Sequence, residues 1–286
     1  MSRADAPLLE HLAASSERYR DPLSALDWSR LDTRDWWLPP AALTLYGLPE
    51  YETLAERVRV RLSQYEFLNM TLMALWLEGV FLARLSEALA GRALGAHRYL
   101  LHEIREEAGH SLMFHKLIEA SGLDLEPGDW ERPAFADFIG RHAPADGALF
   151  WLGALVAEDV PDKFNRYLRR HGGDGVNPLV QQMTALHMTD EARHIAFARS
   201  QLKRRLSGAG PFRRALLVPL ARRAARQFID RYFFPPARFY ERAGLTRGAQ
   251  WRALARASRP RREFVRQCIA PTLRMFEGYG IPLAAD

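Results

Sequence analysis

Apolar side chains recur at helical spacing through the middle of this chain, and no core stretch alternates in the manner of a strand. Successive members of one set of leucines are three, four or seven residues apart, which predicts a helix over about 51–90; they are Leu68, Leu72, Leu75, Leu82 and Leu85. Glycines at 91–95 interrupt the pattern, and a second helix is predicted over about 96–121, ending before Gly122. These two helices are expected to form a hairpin.

A second hairpin is predicted after a connection at 122–147 that is rich in proline, glycine and aspartate. Its first helix covers about 148–170, with a kink at Pro161, and its second covers about 177–206, with Pro178 in the first turn. Hairpin, long crossover and hairpin is the order of a ferritin-like bundle. The predicted fold is therefore all-α, a four-helix bundle with one long crossover connection.

Both flanks of the bundle are predicted to add helices to it. Residues 1–50 contain prolines and tryptophans with weak periodicity, which indicates a wrapping segment with one short helix at its start. Residues 212–286 predict two or three further helices, broken at Pro235 and Pro236 and again near Pro260.

Two short segments inside the predicted bundle repeat one another. The sequence EEAGH at 106–110 is echoed by DEARH at 190–194. In each segment a glutamate and a histidine three residues apart lie on the same helix face. Two such pairs, each joined by one more glutamate from a neighbouring helix, form the two-metal carboxylate site of ferritin-like bundles.

The hairpin geometry selects the two additional glutamates, because antiparallel helices place residues equidistant from their turn at the same height. Glu78 is level with Glu107, and Glu158 is level with Glu191, whereas the midpoint between Glu66 and Glu107 falls inside the first helix. Both selected glutamates lie in apolar runs, where a carboxylate is costly to bury unless it is paired or binds a cation. A solvated helix face or an arginine ion pair remains the alternative for either one alone.

Carboxylates and imidazoles without thiolates favour iron or manganese over structural zinc. Glu106 and Asp190 precede the motif glutamates, and they are candidates to accept hydrogen bonds from the ligand histidines; ordinary surface charge is the alternative. His187 shares a face with Glu191 and His194 in the pattern H-x-x-x-E-x-x-H. It is predicted to be a third imidazole ligand, with a core histidine bonded to a backbone carbonyl as the alternative.

At these residues the sequence resembles the p-aminobenzoate N-oxygenase family of ferritin-like di-iron oxygenases, over roughly residues 50–205. The family pattern is Glu, Glu-x-x-His, Glu and His-x-x-x-Glu-x-x-His. Its seven metal ligands fall here on Glu78, Glu107, His110, Glu158, His187, Glu191 and His194. The resemblance implies two iron ions, O2 as co-substrate, and oxidation of an arylamine through the hydroxylamine toward a nitro group in a biosynthetic pathway. It also implies a homodimer.

Three other functions stay open on the sequence alone. The same ligands serve di-iron hydroxylases and desaturases that oxidise C–H bonds, and manganese fits the ligand set as well as iron. Iron storage is a further alternative, although the extension after the bundle is more typical of a substrate pocket or dimer surface. A basic amphipathic stretch over 213–228 resembles a membrane-surface helix, but we favour a packed helix with a solvated basic face.

Composition and charge indicate the domain organisation, the cellular location and the partners of the protein. The chain has 286 residues, of which 48% are hydrophobic, and we predict one ferritin-like di-iron domain over 1–286, with a bundle core over about 51–206 and a helical extension over 212–286. A net charge of +6 comes without a nucleic-acid motif, and no membrane-spanning segment is expected. The single cysteine, Cys268, indicates a reducing cytoplasm. The expected partners are a small-molecule amine and an external reductase or electron carrier, because no nucleotide or flavin motif is present.

Overall fold

A computed structural model describes residues 6–90 and 94–283, and within that part the chain is helical, with short 3-10 turns and no strand. The all-α prediction is confirmed. The α-helices are α1 (Ala6–Ser16), α2 (Pro22–Ala25), α3 (Pro49–Glu52), α4 (Glu56–Ala90), α5 (Leu94–Ser121), α6 (Ala134–His142), α7 (Ala148–His171), α8 (Pro178–Ser207), α9 (Pro211–Phe233), α10 (Ala237–Arg242), α11 (Gly248–Ala257) and α12 (Arg259–Gly278).

The bundle consists of two packed hairpins, α4 with α5 and α7 with α8. The centre of the predicted first turn, 91–93, lies outside the described residues, and α7 continues through Pro161 as one helix. Asn177 caps α8, where its side-chain oxygen accepts from the amides of Leu179 and Val180. The long crossover contains a helix that the sequence did not reveal, since α6 lies in it and packs against α4, α7 and α9.

Helix α4 is the central apolar helix of the bundle. By length and composition the stretch Glu56–Leu89 passes as a membrane span, which the sequence analysis did not anticipate. However, 61% of its most apolar window is buried inside the protein against neighbouring helices. It also carries Glu78, which is 3% exposed and faces the bundle interior. These contacts make α4 a core helix of the fold.

The segment before the bundle wraps it, as predicted. Trp37 is fully buried, and its amide donates to Ser63 Oγ on α4 at 3.1 Å. The same segment also contacts Asn177, in the turn before α8. The backbone amide of Asn177 donates to the Trp36 carbonyl at 2.7 Å, and the side-chain amide of Asn177 donates to the Arg30 carbonyl at 2.9 Å. The first 50 residues therefore join the turn between α7 and α8 to the rest of the core.

The C-terminal extension has four helices in its described part, where the sequence predicted two or three. The chain breaks at Pro235 and Pro236 and again at Ser258, near Pro260, as expected. Pro260 lies at the start of α12, where a missing amide proton is tolerated. Buried Arg261 donates to the carbonyls of Ala42 and Phe233, which ties the extension to the wrapping segment.

The basic stretch of α9 differs in part from the expected packed helix. Its apolar side chains Phe212, Leu216 and Leu220 are exposed, with Phe212 76% accessible. The second half of α9 is packed, since Phe228 is buried against the bundle.

Candidate metal centre

The two repeated motifs face each other in the bundle interior, on α5 and α8. Glu107 and His110 come from α5, Glu191 and His194 come from α8, and each is at most 1% exposed. His194 Nδ1 lies 3.2 Å from Glu107 Oε1, and His110 Nδ1 lies 3.4 Å from Glu191 Oε1. One ligand atom from each of the four lies within 4.8 Å of the others, a spacing at which one metal ion can be held.

A second group of four shares two members with the first. Glu78 from α4 and His187 from α8 join His110 and Glu191, again with ligand atoms within 4.8 Å of one another. His187 Nε2 lies 3.1 Å from Glu191 Oε1 and 3.7 Å from Glu78 Oε1. Two adjacent positions for cations therefore share His110 and Glu191, and His187 belongs to only one of them.

Glu158 from α7 is the seventh predicted ligand, and it is 7% exposed. Glu158 lies outside both groups of four but beside Glu191. Burial raises the pKa of the Glu158 carboxyl, and the neighbouring Glu191 carboxylate raises it further. The structure thus brings all seven predicted side chains into one buried region.

The histidines are oriented by hydrogen bonds that cross between α5 and α8. His110 Nε2 donates to Asp190 Oδ2 at 3.2 Å, and His194 Nε2 donates to Glu106 Oε2 at 3.0 Å. Each motif's leading acid therefore holds the histidine of the opposite motif. With its proton on Nε2, a neutral imidazole would present the lone pair of Nδ1 to the space among the carboxylates, as a metal requires.

Arg193 lies between the two orienting acids, and the sequence analysis missed it. Its guanidinium contacts Asp190 Oδ1 and Glu106 Oε1, the latter at 3.0 Å. Burial raises the pKa of both acids, but their bonds to the histidines and the charge of Arg193 leave each below its ordinary value. Arg193 sits inside the second repeat, but only the packing of α5 on α8 shows that it serves both motifs.

His187 has an amide partner. Its Nδ1 lies 3.4 Å from Asn165 Nδ2 on α7, and its Nε2 points to the carboxylates. A metal on Nε2 requires the proton on Nδ1, which would donate to Asn165 Oδ1 once the amide is turned. Asn165 was not predicted, because nothing in its local sequence marks it.

The donor atoms of this region fit a pair of cations. Several are fully buried and have no hydrogen-bond partner among the described residues, namely both oxygens of Glu107 and of Glu191, His110 Nδ1, His187 Nε2 and His194 Nδ1. Unpaired buried carboxylates are costly, and burial raises the pKa of Glu78 to about 8. Oxygen and imidazole donors without thiolate suit iron or manganese.

Glu66, which the hairpin argument excluded, lies away from this region. Glu66 is buried, and its carboxylate accepts hydrogen bonds from the backbone amide and the hydroxyl of Thr44, the latter at 2.5 Å. Arg261 supplies a positive charge nearby. Glu66 therefore belongs to the packing of the wrapping segment on α4.

A mostly apolar cavity opens beside His187. Its lining comes from all four bundle helices and from α9, with Ala74, Phe114, Phe164 and Tyr232 among the contributors. No lysine or arginine lines it in the part of the chain that the structure describes. A small molecule with an apolar body could reach the His187 side of the centre through this cavity.

Comparison with known proteins agrees with this geometry. The family model described as P-aminobenzoate N-oxygenase AurF matches residues 3–280. Two uncharacterized proteins of Mycobacterium tuberculosis align over 262 residues, 85% of this chain and 74% of theirs. MT0908 of strain CDC 1551 is 28% identical, and Rv0885 of strain H37Rv is 27% identical.

Similar solved structures are R2-like ligand-binding oxidases. One with an aerobically reconstituted Mn/Fe cofactor has a TM-score of 0.62 at 16% identity, covering 96% of this chain and 92% of its own. A mutant with an Fe/Fe cofactor has a TM-score of 0.61 at 17% identity, with the same coverage. At this identity the likeness establishes the fold, and it confirms the ferritin-like prediction.

Proposed function

Because this chain belongs to the p-aminobenzoate N-oxygenase family, we propose that it is a di-metal monooxygenase that N-oxygenates an amine. Family membership supports an oxygenase of the di-iron class, and the specific reaction is our proposal. The observation that carries it is His187, which adds a third imidazole to a site whose other ligands are shared by many di-iron proteins. We assign the seven predicted side chains as the metal ligands, with iron as the metal and manganese as an alternative.

The bound metals would supply the activation of O2, and the protein would supply the geometry around them. In the first oxidation one oxygen atom enters the N–H bond of the amine and the other leaves as water. Two electrons come from an external reductase or electron carrier, and two protons come from solvent. Glu106 and Asp190 keep the protons of the ligand histidines on Nε2, and Arg193 balances the charge of both acids.

The cavity beside His187 favours a neutral arylamine as substrate. Its aromatic and aliphatic lining would bury the ring, and Asn165 and Thr184 are polar side chains at its wall. The same apolar lining also suits oxidation of a C–H bond, which is the second candidate function. The two reactions differ in where the oxygen atom is found in the product.

Product analysis tests the proposal. Iron-loaded protein with a chemical reductant and 18O2 should convert arylamines to hydroxylamine, nitroso or nitro products that carry the label on nitrogen, as read by mass spectrometry. His187→Ala should reduce this conversion at least about tenfold, the effect expected on losing one ligand contact. His115→Ala, on an exposed histidine of α5, should not. Products that carry the label on carbon alone would show that the protein oxidises C–H bonds and not the amine nitrogen.

A further inference from the structure

Glu103 occupies on α5 the position that His187 occupies on α8. The pattern E-x-x-x-E-x-x-H over 103–110 matches H-x-x-x-E-x-x-H over 187–194, residue for residue in spacing. Side chains four and seven apart share a helix face, so Glu103 lies on the face that presents Glu107 to the centre. The repeat between the two helices therefore extends one turn beyond the two motifs.

The crossed hydrogen bonds show that α5 and α8 are related in space as well as in sequence. His187 belongs to the group of four side chains that contains Glu78. Glu103, its equivalent on α5, should therefore approach the other group of four, which contains Glu107 and His194. The electrostatics agree with that placement, because His194 and Glu107 are the charged groups that act most strongly on the Glu103 carboxyl.

Glu103 is buried and has few partners in the fold. It is 5% exposed, and its Oε2 has no hydrogen-bond partner among the described residues. No lysine or arginine of the described chain forms an ion pair with it; burial raises the pKa of its carboxyl, and the nearby Tyr99 hydroxyl lowers that pKa by hydrogen bonding. Glu66 is the instructive contrast, since it is equally buried but accepts three hydrogen bonds from Thr44. A buried carboxyl oxygen without a partner is costly unless a cation lies within reach.

We propose that Glu103 is an eighth donor, an oxygen ligand of the metal on the Glu107 and His194 side. The inference rests on the two-metal centre proposed above. In the structure the Glu103 carboxyl lies outside both groups of four, so binding requires its flexible side chain to turn toward the centre. One metal would then gain an extra imidazole and the other an extra carboxylate, which makes the two positions chemically distinct.

The test compares Glu103→Gln and Glu103→Leu with Glu66→Gln as the matched control, a buried glutamate outside the centre. Metal content per chain and a titration of the second metal against a chelator would be measured, with Mössbauer spectra of 57Fe-loaded protein. Both Glu103 variants should bind the first metal normally and the second at least about tenfold more weakly, with an altered Mössbauer doublet for one iron. Glu66→Gln should keep two metals and the wild-type spectrum.

The metal-free stability of the variants separates ligation from folding. Glu103→Leu should unfold at the same temperature as wild type or higher, because it replaces a buried carboxyl whose Oε2 has no partner by an apolar side chain. Wild-type affinity and spectra in both Glu103 variants would overturn the eighth ligand while leaving the two-metal centre intact. A wild-type protein that holds fewer than two metals would overturn the centre and this inference together.

Discussion

At the scale of single residues, the centre is governed by the cost of burying charge. Four carboxylates and three imidazoles, which we propose as ligands, lie in an apolar bundle. Inward-facing atoms of Glu107, Glu191 and the three histidines have no hydrogen-bond partner among the described residues. Their spacing was readable from sequence because one helix face repeats every three or four residues. Arg193, Asn165 and Glu103 were not identified, because each acts on a residue of another helix or lies outside the shared motif.

Glu66 provides a test of how burial affects charge at one residue. Burial raises its pKa from 4.5 to about 7, so the folded protein binds the proton more tightly than the unfolded chain. This contribution to stability is full below about pH 4.5 and is lost as the pH rises through about 7. For metal-free protein we expect wild type to lose about 3 kcal/mol between pH 4.5 and 8 relative to Glu66→Gln.

Urea unfolding of both proteins across that pH range would measure the difference. Subtracting the Glu66→Gln curve removes the contributions of other buried carboxyls, which both proteins share. Curves that run parallel at all pH values would show that Glu66 does not titrate as its burial requires.

At the scale of elements, α5 and α8 act as one unit because each holds the histidine of the other. Replacing Glu106 by Gln keeps an acceptor for His194 but removes the negative charge that balances Arg193 and strengthens the bond. We expect metal affinity to fall about 10- to 100-fold, as measured by competition with a chelator.

The exposed Glu119 offers a control on the same helix, since its side chain is 68% accessible and pairs only with His115 at the surface. Glu119→Gln should leave metal affinity unchanged. Equal affinity in Glu106→Gln and wild type would show that the crossed bonds do not position the ligands.

The long helices of the bundle were predictable, whereas of the short ones in the first 147 residues only the helix at the start, α1, was predicted. Each bundle helix has several turns of apolar periodicity and ends at glycines or prolines, so its pattern stands out. Helix α6 has only nine residues, and it is held in place by packing against α4, α7 and α9. The helix break near Pro260 was predictable as well, because a proline is favoured in the first turn of a helix, and here it lies in the first turn of α12.

At the scale of the whole molecule, the segments outside the bundle close it around the centre. Arg261 and Asn177 connect the wrapping segment to the extension and to the turn between α7 and α8. These contacts span more than a hundred residues of sequence, so no local pattern could have predicted them. The homodimer and the cytoplasmic location stay predictions from the sequence.

The central claim is that one chain holds two metal ions close enough to interact. The most direct measurement is metal content per chain of wild-type protein expressed with iron, followed by Mössbauer and EPR spectroscopy of the oxidised form. We predict two metals per chain and an iron pair that is EPR-silent because its spins are coupled. Fewer than one tightly held metal per chain, or two irons with the signals of isolated ions, would contradict the account.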